Sequence, residues 1–224
     1  ILASVAGIEN RIRESAGAVR GHLRVNAPNS FGQVVIAPML AGFAEAYPDL
    51  TISLSFDDRV IDMVEGGFDL SIRIRASLPD SALVARRIGT IGQYLFAAPA
   101  YLERAGTPNT PEDLKNHETL GFMLAEHVAH WPLTGGDGTT TIDISPRIRV
   151  GSSLVLCDLI AAGRGIGTLP DFVSAPAEAR GEIVRVLPQY ALPERHIYAV
   201  TASRLGTDAK VTAVLDHLRQ HIAG

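Results

Sequence analysis

A single cysteine, Cys157, stands in a chain of 224 residues. An internal disulfide framework is thereby excluded, and the usage fits a reducing compartment. No uninterrupted apolar run reaches the roughly 18–20 residues needed to span a bilayer. Positive charge is not in excess: 20 Lys and Arg against 24 Asp and Glu leave a net charge of −4. That balance argues against nucleic-acid binding by this chain itself, because such domains carry a basic face. There is no G-x-S-x-G elbow, no phosphate-binding P-loop, no kinase signature and no convincing nucleophile–base pair, so no enzyme is expected. A charged leader with a cleavage site is missing as well. Since the first residue is Ile1, the chain is expected to be a piece of a longer protein. What is present is an ordinary globular composition, long enough for one large domain or for two of about 100 residues each.

Strand and helix signals alternate along it. Residues 1–20 carry Ile1, Val5, Ile8, Ile12, Ala16 and Val19 as a near-heptad stripe. This is either an amphipathic helix lying on the body or the end of a longer dimerising helix. Residues 23–27 alternate as a strand, 31–47 read as a helix that Pro38 should kink or break, and 50–55 form the next strand. A short helix is expected over 59–65, stopped by Gly66 and Gly67, and then a strand over 69–74. This order implies a parallel sheet with right-handed crossovers. Residues 83–97 are too long and continuous for one strand of a small domain and read as a passage between two lobes, with Gly89 and Gly92 as soft points. Gly135-Gly136-Asp137-Gly138 signals a hairpin. Strands over 183–187 and 196–201 provide a return crossing, and a helix over 208–222 turns Val211, Val214, Leu215, Leu218 and Ile222 inward. Two α/β lobes joined by two crossings form the architecture of a hinged binding protein, whose ligand sits outside the carboxyl ends of the strands.

The most informative stretch is GSSLVLCDLIAAGRGIGTLP, residues 151–170. Ser152 and Ser153 sit where an N-cap belongs, ahead of an apolar run at helical spacing. Gly163 and Gly165 stop that helix before a short buried strand. A helix start of this kind presents free N–H groups that suit a small anion. A second example follows the strand LRVNA, at Pro28-Asn29-Ser30. The glycines of Gly163-Arg164-Gly165-Ile166-Gly167 do not form a dinucleotide loop, because they leave a helix instead of opening one. His127 with His130, and His217 with His221, have metal-compatible spacing but no Cys or acidic companions, so solvated histidines and no metal are expected. Cys157 reads as a small buried hydrophobe. Asp57 and Asp58 either cap the helix expected from Arg59 or face the ligand. Arg75, following a strand, either donates to an acidic ligand or is solvated at the lobe edge.

Five segments in order, GHLRVNAPNSFGQVVIAPMLAGFAEAYPDL, EGGFDLSIRI, DSALVARRIG, APAYLERAG and AAGRGIGTLP, resemble the effector-binding domain of LysR-type transcriptional regulators with the DNA-binding part removed. The resemblance implies an α/β fold of two Rossmann-like lobes joined by two crossover strands, similar to type II periplasmic binding proteins. It implies a linker-helix tail at 1–20, lobe I at 21–93 plus 197–224, and lobe II at 94–196. It implies a homodimer or homotetramer in the cytoplasm and a small effector, a carboxylate or aromatic acid. Operator DNA and RNA polymerase would be met only through the full-length protein, with no membrane and no cofactor. The implied effector contacts are Asn29, Ser30, Phe31, Arg75, Ala76, Phe122, Ser152, Ser153, Leu154 and Thr168. The sequence departs from the usual pattern at Trp131-Pro132-Leu133 and at Ser152-Ser153-Leu154, both on the second lobe. The rival reading is a solute-binding protein that delivers substrate to a transporter.

Overall fold

The computed structural model describes residues 19–58, 63, 66–78, 83–125, 129–202 and 208–223. The stripe expected over 1–19 lies outside these residues except for Val19, as does most of the short helix expected over 59–65. The chain divides into two compact units, one formed by the described residues of Ile1–Gly89 and His196–Gly224, the other by Thr90–Arg195.

In the first unit β1 (Gly21–Ala27) lies between β2 (Leu50–Phe56) and β3 (Leu70–Arg75), parallel to both. Alternation along β1 sends Leu23, Val25 and Ala27 into the core, the period-2 pattern of a strand with one apolar face. Between β1 and β2 the chain forms α1 (Asn29–Phe31), a π-helical turn (Gly32–Ile36) and α2 (Ala37–Ala46). Of the kink or break expected at Pro38, the break does not occur, since helix continues on both sides of it. Pro38 falls in the first turn of α2, where the widened π turn before it accommodates a residue that has no N–H to donate. Gly32 is required at this turn, because a Cβ there would come within 2.3 Å of the Phe56 ring. The helix α6 (Ala209–Ala223) turns Val211, Val214, Leu215 and Leu218 inward. It meets α2 through a T-shaped contact of Phe43 with His217, 5.4 Å between ring centroids.

Strands β4 (Val84–Ala97) and β11 (Leu192–Thr201) carry the chain across the division, which falls after Gly89 on the way out and after Arg195 on the way back. Within the first unit β11 runs antiparallel to β3.

In the second unit the later part of β4 pairs antiparallel with β9 (Gly167–Pro170) and with β10 (Val184–Val186). A two-stranded parallel pair joins β5 (Leu120–Phe122) to β8 (Ile148–Val150). The expected hairpin is β6 (His130–Gly135) with β7 (Gly138–Asp143), turning at Gly136 and Asp137. Helices α3 (Pro99–Ala105), α4 (Ser153–Ala161) and α5 (Asp171–Ala179) complete the unit. Its apolar side chains form two clusters, one around Trp131, Leu133 and Tyr101, the other around Phe96, Leu156 and Leu169.

Candidate functional site

Because β1, β2 and β3 are parallel, their carboxyl ends share one edge of the first unit. Asn29, Ser30 and Phe31 follow the end of β1, Asp57 and Asp58 follow β2, and Arg75 closes β3. The helix start is not capped by Ser30. Pro28 holds the N-cap position without a side-chain bond, and the Asn29 N–H donates to Asp58 Oδ1 at 3.1 Å. Asp58 thus caps α1 from another strand end. An anion already sits on this helix start, and it belongs to the protein. Burial pushes the Asp58 carboxyl above its usual range, Asp57 adds to the rise, and the Asn29 N–H opposes it. Ser30 is buried and Phe31 is part of the core, while Asn29 and Arg75 are half-buried and Ala76 is exposed.

One face of this sheet is polar. Asn26 is fully buried. Its Nδ2 donates to the Ser55 carbonyl at 3.2 Å, and its Oδ1 accepts from Arg73 Nη1 at 2.6 Å and from Ser71 Oγ at 3.3 Å. A buried amide so supplied is satisfied at both ends. Arg73 and Arg75, two residues apart, project to the same side of β3. Their cross-strand partners on β11 are Tyr198 and His196 respectively. Burial first, and then the Arg75 charge, lowers the Arg73 guanidinium from its ordinary value, with Asp57 opposing. Neither Asn26, Arg73 nor His196 was singled out by motif. The alternation in LSIRIR does show both arginines on one face, whereas nothing local reveals that His196 lies opposite Arg75.

In the second unit, Ser152 is the N-cap of α4, its Oγ accepting from the Val155 N–H at 3.5 Å. The helix closes in a Schellman arrangement: the Arg164 N–H donates to the Leu159 carbonyl and the Gly163 N–H to the Ile160 carbonyl, with Gly163 at φ +69°. Gly165 and Gly167 have packing reasons of their own. A Cβ at Gly165 would lie 2.5 Å from the Glu118 carbonyl oxygen, and one at Gly167 2.8 Å from the Ile160 side chain. The glycine motif is therefore a device that seats β9 between a helix and the Glu118 backbone. Phe122 pairs with Val150 across β5 and β8, so the end of β5 lies beside the entrance to α4. Ser153 is buried, Leu154 and Phe122 pack against the Leu156 cluster, and Thr168 on β9 is opposite Leu95. Met123, Leu124 and Val155 in these same segments are exposed.

Of the histidines, His127 lies outside the described residues and His130 is exposed. His217 is not simply solvated, since it is half-buried against Phe43; burial and the neighbouring His221 lower its pKa. Among the described residues no group of three or more His, Cys, Asp or Glu is placed to hold a metal. Cys157 is buried in α4, and burial pushes its thiol up, toward the unreactive protonated form. Among the described residues no helix is long and apolar enough to cross a membrane.

Two α/β units joined by two strands, the first with a polar edge at its strand ends, define a binding domain of the type II periplasmic-binding-protein class. The chain belongs to the LysR substrate binding domain family, which it matches over residues 16–223. It is similar to an HTH-type transcriptional regulator of Haemophilus influenzae, 33% identical over 214 residues, covering 96% of this chain and 74% of the relative. It is similar to the regulator DmlR of Escherichia coli, 30% identical over 224 residues, covering 100% of this chain and 72% of that one. Among solved structures, the LysR-type regulator CrgA of Neisseria meningitidis aligns with a TM-score of 0.84 at 28% identity, covering 100% of this chain and 76% of that chain. The full-length virulence activator AphB of Vibrio cholerae aligns with a TM-score of 0.78 at 27% identity, covering 98% and 74%. These relatives are regulators, not transporter solute-binding proteins, so the chain is the effector-binding domain of a LysR-type transcriptional regulator.

Proposed function

We propose that this domain senses a small anionic metabolite, a carboxylate or aromatic acid, and acts by binding, not by catalysis. The residues proposed to contact it are Asn29, Ser30, Phe31, Arg75 and Ala76 in the first unit, and Phe122, Ser152, Ser153, Leu154 and Thr168 in the second. The observation that carries the reading is the match to the effector-binding family over residues 16–223. The exposed apolar residues Met123, Leu124 and Val155 beside the capped start of α4 support it, since they suit the apolar body of an organic acid. Binding favours one of two states of the domain, and the difference in affinity for the two sets the size of the response. In the full-length cytoplasmic protein, a homodimer or homotetramer, that shift alters how a DNA-binding segment sits on its operator and meets RNA polymerase. The chain itself, with net charge −4, does not hold duplex DNA.

A thermal-shift screen of small carboxylic and aromatic acids, each beside its neutral amide, tests the reading. Stabilisation by an acid and not by its amide is expected, since a ligand that binds only the folded state raises the melting temperature. Stabilisation by sugars or amines alone would overturn the ligand class.

A further inference from the structure

We infer that the acid group of the ligand is seated by Arg75 and His196 on the polar face of the first unit's sheet, with Arg73 as a positioning residue. The inference rests on the ligand-sensing reading above and assigns its anion-recognising contacts.

Arg75 and His196 are directly opposed on β3 and β11, so their side chains leave the same face of the sheet. Arg73 lies two residues back on that face, and Tyr198 stands opposite it with its ring 6.1 Å from that of His196. Three groups able to carry positive charge are therefore gathered in a chain whose net charge is −4. Arg73 is tied down by the 2.6 Å bond to buried Asn26. Among the described residues, no hydrogen bond or ion pair engages the Arg75 guanidinium. Among the described residues His196 Nδ1 has no hydrogen-bond partner, and it is shut from solvent. An unsatisfied buried nitrogen and an unneutralised guanidinium beside a second arginine are both unfavourable in isolation. One oxyanion at this position, met by a turn of the His196 ring that brings Nδ1 toward it, would relieve both, accepting a forked pair of bonds from Arg75 and one from the imidazole. The alternative anion seat in this unit, the start of α1, already holds the Asp58 carboxylate. A ligand acid placed there would meet a like charge.

The test is an NMR titration that reads the Arg75 Nε–Hε and His196 ring signals, with benzoate, inorganic phosphate and benzamide as probes at constant ionic strength. Both oxyanions are expected to move both signals, and benzamide neither. Arg75→Gln should weaken benzoate binding about tenfold or more, the scale of a lost hydrogen bond between charged groups. Arg75→Lys should recover part of that loss, because the charge returns without the fork. Arg149→Gln, which removes an exposed charge on β8, should leave affinity unchanged. Unaltered affinity in Arg75→Gln, or benzoate shifts that spare Arg75 and His196, would overturn the seat while leaving ligand sensing intact. An acid-dependent thermal shift that is absent from the wild-type chain would instead remove the ligand-sensing reading. If the Arg75 signals still moved with phosphate, the seat would stand as a simple anion site.

Discussion

Gly165→Ala probes the joint that holds the α4–β9 segment in place. At Gly165 the backbone lies at φ +145°, and a Cβ would fall 2.5 Å from the Glu118 carbonyl oxygen and 2.9 Å from its carbon. Neither atom can swing away, because both are backbone and are pinned by flanking bonds. Ile166 N–H donates to that same Glu118 carbonyl at 2.9 Å, and Leu120 N–H donates to the Ile166 carbonyl at 2.8 Å. Forcing alanine into this conformation costs about 1–3 kcal/mol of backbone strain. Displacing β9 far enough to clear the contact weakens both bonds, at about 1 kcal/mol each. The sum, about 3–5 kcal/mol, corresponds to a fall in melting temperature of about 6–20 °C for a chain of this size. Gly163→Ala is the matched control. Its φ of +69° is also left-handed, but the nearest atom to a Cβ is 3.9 Å away. Only the left-handed penalty of about 1–2 kcal/mol applies there. Calorimetric melting of the two variants beside wild type decides the matter. If Gly165→Ala melts no lower than Gly163→Ala, the close approach to Glu118 is not what requires glycine at 165.

Asn26→Ala should destabilise the first unit by at least about 1–3 kcal/mol, since it strands the bonds of Ser71 and Arg73 in a buried position; urea unfolding measures this. Gly32→Ala should cost about 1–3 kcal/mol by pushing the Phe56 ring off the π turn, and a crystal structure of the variant would show the displaced ring. The lowered pKa of His217 means that the folded state favours the neutral ring. Its contribution to stability is complete above the ordinary histidine pKa of 6.5 and is lost as pH falls below it. His217→Gln should flatten that segment of the melting-temperature profile between neutral and mildly acidic pH, and an unchanged slope would refute the assignment.

Much of this fold is written locally. The alternation in β1 and β3, the GGDG turn between β6 and β7, and the serine and glycines that bound α4 are each set by a few adjacent residues. What escaped the sequence depends on distant partners. The cap on α1 comes from Asp58, 29 residues away, so the nearer and chemically suitable Ser30 was the natural expectation. The close seat of Phe56, from another strand, against Gly32 in the π turn is a fit no helical periodicity encodes. His196 acquires its place beside Arg75 only because β11 returns antiparallel to β3. The polar edge was legible through Arg75, but the buried Asn26 that holds Arg73 was not, because a lone Asn in an apolar strand reads equally well as a surface position.

The most direct measurement is a residue-resolved amide titration of the chain with the best-stabilising acid from the thermal-shift screen. Signals of Asn29–Phe31 and Arg75–Ala76 in the first unit, and of Ser152–Leu154 and Phe122 in the second, should shift and saturate as the acid is added. Saturable shifts elsewhere in the chain that leave all of these residues unmoved would contradict the assignment of the effector-contacting residues.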